Sequence, residues 1–142
     1  MNISAKTEYA CIAVLELALH YESREPVRIK RIADTHGIPS RFLVQILLQL
    51  KGAGLVTSTR GASGGYQLAK PPKQITLLDV MSVIEGPPAE QSTSAANNTP
   101  SARVLWRAWK QVAKAEREML DKINFADLAE KSRSSGDAMY YI

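Results

Sequence analysis

Apolar residues recur at helical spacing through the middle of the chain and predict two short helices. The first covers residues 29–36, turns Ile32 and Ala33 inward, and ends at Gly37, because glycine tolerates the positive φ just past a helix end. The second covers residues 39–53 and begins at Pro39, whose missing N–H is no loss at a first helical position. Residues at i, i+3, i+4 and i+7 give it one buried stripe: Leu43, Ile46, Leu47 and Leu50. This pattern predicts a helix-turn-helix.

A β-hairpin is predicted directly after this helix pair. Residues 55–59 are β-prone, residues 60–65 form the glycine-rich turn RGASGG, and residues 66–69 form the return strand before Pro71 and Pro72. The glycines permit positive φ and let the backbone approach another surface closely. We therefore expect a mainly α fold with a small β-hairpin, arranged as a winged helix-turn-helix domain with a long additional helix.

Further helices are predicted on both sides of this module. A helix over residues 7–21 buries one face, and another starts at residue 75, with Thr76 and Asp79 as a near capping box, and ends at Gly86. The low-complexity residues 89–100 are expected to be mobile. Ser101 is predicted to cap a helix that runs to residue 123, before a short helix at residues 125–131 and a loose segment at 132–137. The expected organisation is a winged domain over 1–86, a flexible loop over 87–100, a dimerisation helix over 101–124, and a short helix with a C-terminal tail over 125–142.

The long helix carries more apolar surface than a small winged domain can cover. Positions spaced alternately four and three residues apart along this helix are apolar, except for Glu116. The five apolar residues of this 4-3 line are Leu105, Trp109, Val112, Met119 and Ile123. A second line widens the apolar face: Trp106, Ala113 and Leu120. The helix could pack on its own domain or pair with the same helix of a second chain. We favour pairing, which makes the 4-3 line the predicted dimer interface.

Positive charge is concentrated in residues 26–73. This segment holds eight lysines and arginines and one acid, Asp34, for a net charge of +7, whereas the whole chain carries +4. Such concentration on one small module is typical of a protein that binds the phosphate backbone of double-stranded DNA. The alternative is a solvated basic surface, but charge, helix pair and hairpin coincide here. The residues expected to contact phosphates are Arg28, Lys30, Arg31, Lys51 and Lys70.

The sequence argues against an enzyme. No Ser/His/Asp or Cys/His arrangement is evident, and the glycine-rich turn is followed by a strand and lacks the lysine of a P-loop. Cys11 lies within the first helix and is interpreted as a packing residue, with a redox switch as the alternative. His20 and His36 have no partners at metal-binding spacing. No apolar run approaches the ~20 residues of a membrane span and no signal peptide is evident, so we expect a cytoplasmic protein.

Residues 31–87, with the opening segment at 3–18, closely resemble the Rrf-type family of winged helix-turn-helix transcriptional regulators. The pattern GLV…RG…GGY.LA.PP..ITL.DV…EGP is specific to that family. The resemblance implies a homodimeric bacterial transcription factor whose long helices cross, whose second helix enters the major groove, and whose wing reaches the minor groove. It places Ser40, Arg41, Val44 and Gln45 on the base-reading face. It also places Arg60 at the wing tip, with Gly61, Gly64 and Gly65 as wing glycines.

Two departures from the family pattern matter. Many members carry glutamate where this chain has Val44, so an acceptor for cytosine N4 is replaced by an apolar group suited to a thymine methyl. Cluster-binding members carry three cysteines in the loop before the long helix, whereas residues 87–104 contain none. Glu8 matches an acidic ligand of a few members, but one carboxylate is not a site. We therefore expect no iron–sulfur cluster and no other cofactor.

Within the family, the chain most resembles the repressors of cysteine metabolism, which also lack the loop cysteines. The segments ARVLWRAWKQV…FADLA and MYYI carry this likeness. It implies cysteine synthase (O-acetylserine thiol-lyase) as a partner, an enzyme that accepts protein C-termini ending in isoleucine. Tyr140, Tyr141 and Ile142 would dock there, with the terminal carboxylate held by backbone amides. The alternatives are a tail tucked against the body, or an interaction module with little DNA binding that works mainly through this tail.

Overall fold

The computed structural model describes residues 1–86 and 96–140, including the side chains of all of these except 136–140. Helices dominate this part of the chain, and the two strands form an antiparallel hairpin. The elements are α1 (Ala5–Leu19), α2 (Ile29–His36), α3 (Ser40–Gly52), β1 (Val56–Thr59), β2 (Gly65–Leu68), α4 (Leu77–Glu85), α5 (Pro100–Lys122) and α6 (Phe125–Tyr140), with a 3-10 turn at Pro72–Gln74. The expected fold, mainly α with a small hairpin, is confirmed.

The core lies around α1, which packs against α3, α4 and α6. The predicted stripe of α3 is fully buried. Of the six residues expected on the buried face of α1, Tyr21 lies half-buried beyond the helix end and the other five are buried: Ala10, Ala13, Val14, Leu17 and Ala18. Phe125, the first residue of α6, is also fully buried in this core. The winged domain is therefore completed by residues from the C-terminal part of the chain.

The turn between α2 and α3 is fixed by one glycine and one buried isoleucine. Gly37 has φ 66°, in the left-handed region, and its N–H donates to the carbonyl of Ala33. Ile38 is buried and holds the turn against the core. Pro39 has extended backbone angles and precedes α3, so its predicted place as the first helical residue was wrong by one position.

The hairpin forms the wing, and a residue outside its two strands also pairs with it, which the sequence pattern did not reveal. β1 and β2 pair from Val56 opposite Leu68 to Thr59 opposite Gly65. Val27, just before α2, exchanges two backbone hydrogen bonds with Tyr66, of 2.9 and 2.8 Å. This bridge joins the base of the wing to the start of the helix-turn-helix.

Besides α3, three helix starts differ from the sequence-based prediction, and one of them is α4, which begins at Leu77 rather than at residue 75. α1 begins at Ala5 because the Ser4 hydroxyl accepts from the N–H of Thr7 at 3.1 Å. α5 is capped by Thr99 rather than Ser101, with the Thr99 hydroxyl accepting from the N–H of Ala102 at 3.1 Å. The capping box of α4 is confirmed, since the side chains of Thr76 and Asp79 each bond the other's backbone N–H.

The last helix is longer than predicted. α6 continues to Tyr140, so the segment 132–137 is helical rather than loose. Asn124 accepts from the N–H of Asp127 at 2.9 Å, and Arg133 donates to the carbonyl of Leu19 at 3.2 Å. These contacts, with the buried Phe125 and Ala129, outweigh the weak helix propensity of serine and glycine. Most of the expected flexible loop (87–95), and Tyr141 and Ile142 of the expected docking tail, lie outside the described residues.

α5 is the least covered helix. It packs mainly against α4, and none of its residues is fully buried. The second apolar line is half-buried (Trp106, Ala113 and Leu120), whereas Leu105, Trp109, Val112 and Met119 are exposed. Across residues 1–86 and 96–140, no helix combines the length and the apolarity that crossing a membrane requires.

Candidate nucleic-acid interface

The outward face of α3 presents polar, cationic and apolar side chains to solvent. Its four core residues point inward, which leaves the residues expected to read bases exposed: Ser40, Arg41, Val44 and Gln45. The Arg41 guanidinium lies 5.0 Å from the centre of the Phe42 ring. This distance is within the range of a cation–π contact.

The start of α2 contributes further exposed cations to the module. Arg28 is the residue before α2, and Lys30 and Arg31 lie in its first turn. Arg28 also donates from Nη2 to the carbonyl of Gly61, at 3.4 Å. This contact spans from the helix-turn-helix to the turn of the wing, so the two parts of the module are held together.

A second contact joins α3 to the wing. The Lys51 ammonium donates to the Ser58 hydroxyl at 2.7 Å, which connects the end of α3 to β1. Sequence reasoning assigned Lys51 to phosphate contact and did not single out Ser58. The one sequence feature that could have indicated this contact is the polar side chain of Ser58 on β1, the strand that follows α3. Lys51 therefore positions the wing, and its remaining N–H groups stay free to face a phosphate.

Arg60 and Gly61 form the exposed end of the wing, whereas the other two wing glycines lie inside it. Gly64 is buried, and a Cβ there would come within 2.2 Å of the carbonyl oxygen of Thr59. Gly65 has φ 150°, and a Cβ there would lie 2.6 Å from backbone atoms of Val27. These two glycines, predicted as members of the DNA-binding set, shape the wing by close backbone contact.

The module's positive charge is not neutralised from within. Among the described residues, both contacts at ion-pair distance join Glu16 to a histidine, His20 at 3.9 Å and His36 at 2.9 Å. None of the module's lysines and arginines takes part in them. These cations are exposed, except Lys70, which is half-buried, and none is paired with a carboxylate in the described chain, so their field is available to an anionic partner. His36 links α2 to α1 through its contact with Glu16.

The predicted dimerisation residues divide into two groups. Leu105, Trp109, Val112 and Met119 are 56–62% exposed, and neighbouring Val104 is 64% exposed. Ile123 is different: it follows the end of α5, is half-buried, and its carbonyl accepts from the N–H of Leu77. The uncovered stripe of α5 therefore ends before Ile123, which is tied to its own domain.

Cys11 is partly buried and lines an apolar cavity of about 290 Å³ with Ile12, Leu15 and Met81. Burial, with a smaller contribution from the nearby Glu85 carboxylate, raises the pKa of the Cys11 thiol from 9.0 to about 11. The thiolate is the reactive form, so this environment keeps the sulfur in its unreactive state near neutral pH. This environment argues against the redox-switch alternative.

Known proteins resemble this chain in both sequence and fold. The model of the Rrf2 family, described as an iron-dependent transcriptional regulator, matches residues 3–131. CymR of Bacillus subtilis is 36% identical, with both chains covered in full. The solved structure of B. subtilis CymR superposes with a TM-score of 0.80 at 34% identity, covering 92% of this chain and 98% of that one. The structure of T. potens IscR gives a TM-score of 0.77 at 32% identity, covering 95% and 90%.

The family description implies iron, but the donor atoms of this chain do not fit an iron–sulfur cluster. Such clusters are held by several cysteine thiolates, and the chain has one cysteine, whose raised pKa disfavours the thiolate. The segment 87–95 contains one acid, Glu90, and neither cysteine nor histidine. In the part of the chain that the structure describes, no three histidine, cysteine or acidic side chains cluster in a way that could hold a metal ion.

The family model matches most of the chain. CymR, which both the sequence comparison and the structural comparison find, is named as a regulator and not as an enzyme. The exposed second helix, the wing and the unpaired cations are what a DNA-binding member of such a family requires. This chain belongs to the Rrf2 family of helix-turn-helix, DNA-binding transcriptional regulators.

Proposed function

We propose that the protein is a homodimeric, sequence-specific repressor that occupies a two-fold symmetric operator in the cytoplasm. The winged domain of residues 1–86 binds DNA, α5 pairs the two chains, and the C-terminal tail docks a partner enzyme. The observation that carries the proposal is the linked module. The Lys51–Ser58 contact joins the end of α3 to β1, and the Arg28–Gly61 contact joins the start of α2 to the wing turn, on a surface rich in cations.

In this proposal α3 enters the major groove and the wing follows the adjacent minor groove. Arg41 and Gln45 meet base edges, since arginine pairs with guanine and glutamine with adenine. Arg60 enters a narrow, A·T-rich minor groove, where the negative potential is enhanced. Arg28, Lys30, Arg31 and Lys70 meet phosphates and fix the register without reading sequence.

Symmetry follows from pairing through α5. The stripe of exposed apolar side chains, Leu105 to Met119, is long enough to form a coiled-coil-like seam with a second copy. A two-fold interface presents two identical recognition helices, so the operator consists of two inverted half-sites about one or two helical turns apart.

Replacing Arg60 with alanine is expected to weaken operator binding and reduce its salt dependence. Removing one phosphate-neutralising charge per subunit should reduce the slope of log K against log salt concentration by about 1 to 2 in the dimer. Gel-shift titrations at several salt concentrations measure both quantities. Lys131→Ala, which removes an exposed positive charge from α6, is the control and should leave both unchanged. Unaltered affinity and slope in Arg60→Ala would refute the role of the wing tip.

The partner proposal rests on the C-terminal sequence and on the relatives. B. subtilis CymR is described as that organism's global cysteine regulator, and this chain ends in Tyr140, Tyr141 and Ile142. We propose that this tail enters the active-site cleft of cysteine synthase, where its carboxylate replaces that of the substrate. Binding of the enzyme would then make operator occupancy depend on cysteine availability.

Deleting residues 140–142 is expected to abolish capture of purified cysteine synthase while leaving operator affinity unchanged, because the tail lies outside the winged module. Pull-down and gel shift of the full-length and truncated proteins measure the two properties separately. Equal capture of the enzyme by both proteins would remove the docking role. Capture without specific DNA binding by either protein would favour an interaction module over a repressor.

A further inference from the structure

Two adjacent apolar side chains occupy the middle of the outward face of α3. Val44 is 42% exposed and Leu48 is 56% exposed. They are four residues apart on one helix, so they are neighbours on its surface. Neither is needed for the core, because Leu43, Ile46, Leu47 and Leu50 fill that role and are fully buried. A single exposed leucine is ordinary, but an exposed pair within the proposed interface has a more specific explanation.

The chemistry around this pair identifies what would cover it. Arg41, which meets a base edge in the proposed function, lies one turn before Val44. Lys51, whose free N–H groups can face a phosphate, lies one turn after Leu48, so the pair lies between two DNA contacts in the groove. α3 contains no aspartate or glutamate, hence no carboxylate to accept from the amino group of cytosine. The group in the major groove that suits an apolar side chain is the 5-methyl of thymine.

We propose that Val44 and Leu48 form a thymine-reading strip, so that each operator half-site carries thymines opposite the second and third turns of α3. This inference rests on the proposed function and specifies the DNA that it prefers. Four residues of helix rise about 6 Å, close to two base-pair steps of about 3.4 Å each. The strip therefore reads thymines within about two steps of each other.

Replacing single thymines by deoxyuridine tests the strip directly, because this removes the methyl group and leaves base pairing intact. An operator is first selected from a random duplex pool with the wild-type protein, and each thymine is then replaced in turn. Loss of one buried methyl is worth about 0.8 kcal/mol, or about fourfold in affinity. We expect one or two thymines per half-site to show this penalty with the wild-type protein.

Val44→Ala and Leu48→Ala identify the side chains responsible. Each variant should bind the thymine operator more weakly and lose the deoxyuridine penalty at one thymine, because the apolar contact is already absent. Arg60→Ala is the matched control: its overall affinity falls, but the deoxyuridine penalty persists. Circular dichroism confirms folding, which substitution of these exposed residues should not disturb.

Two results would overturn the inference while leaving the proposed function intact. In the first, a specific operator is selected but no thymine shows a methyl-dependent penalty. In the second, the penalty is the same in both variants as in the wild type. Failure to select any specific sequence would instead overturn the proposed function, and the inference with it.

Discussion

Replacing Trp109 with aspartate is expected to produce a monomer and to lower operator affinity by at least about a hundredfold. Trp109 is 62% exposed in the middle of the apolar stripe of α5, where we place the partner chain. An unpaired carboxylate buried in that interface costs several kcal/mol, and each 1.4 kcal/mol is a factor of ten in affinity. A monomer also holds a single half-site. Sedimentation velocity reports the mass, and gel shift reports the affinity.

Lys114→Asp is the matched control for that experiment. Lys114 is exposed on the same helix, five residues after Trp109, which places it on the side away from the stripe. It introduces the same aspartate without entering the interface, so this variant should remain dimeric. A dimeric Trp109→Asp protein with wild-type affinity would contradict pairing through α5.

Replacing Gly64 with alanine is expected to lower the free energy of unfolding by about 2–3 kcal/mol and to weaken operator binding about tenfold or more. The added Cβ would lie 2.2 Å from the carbonyl oxygen of Thr59 and 2.9 Å from the carbonyl carbon of Arg60. These are backbone atoms of the wing turn, so relief requires the turn to open. Opening it moves Arg60 away from the minor groove. Urea denaturation and gel shift measure the two losses.

Gly52→Ala provides the comparison for this substitution. Gly52 is the last residue of α3, and a Cβ there meets nothing within 4 Å. Alanine in a helix is favoured over glycine by about 0.5–1 kcal/mol, so stability should be unchanged or slightly increased. If Gly64→Ala matched this control in both stability and DNA affinity, the close packing of the wing turn would not be needed for binding.

Features that depend on local sequence were predicted well. The buried stripe of α3, the left-handed Gly37 and the capping box of Thr76 and Asp79 each follow from neighbours within one or two helical turns. The N-terminal caps of α1 and α5 were exceptions. Thr99 and Ser101 are both good N-cap residues, and Pro100, favoured at the first helical position, decides for Thr99.

Features that depend on contacts between distant segments could not be predicted from the pattern of apolar and polar residues. The bridge between Val27 and Tyr66 joins residues far apart in sequence, and it is the reason that Gly65 must be a glycine. Lys51 was predicted to contact a phosphate, and the structure shows that it also donates a hydrogen bond to Ser58 of the wing. Ile123 fits the 4-3 spacing of α5, but it is half-buried and its carbonyl accepts from the N–H of Leu77, a long-range contact that periodicity alone did not reveal.

The stoichiometry of the protein on its selected operator tests the central claim most directly. Sedimentation velocity of the complex should give two chains per duplex at saturation. Cutting the operator to a single half-site should lower the affinity sharply, because the second recognition helix loses its target. One chain per duplex, with equal affinity for the whole operator and the single half-site, would contradict a dimer that presents two recognition modules to one DNA site.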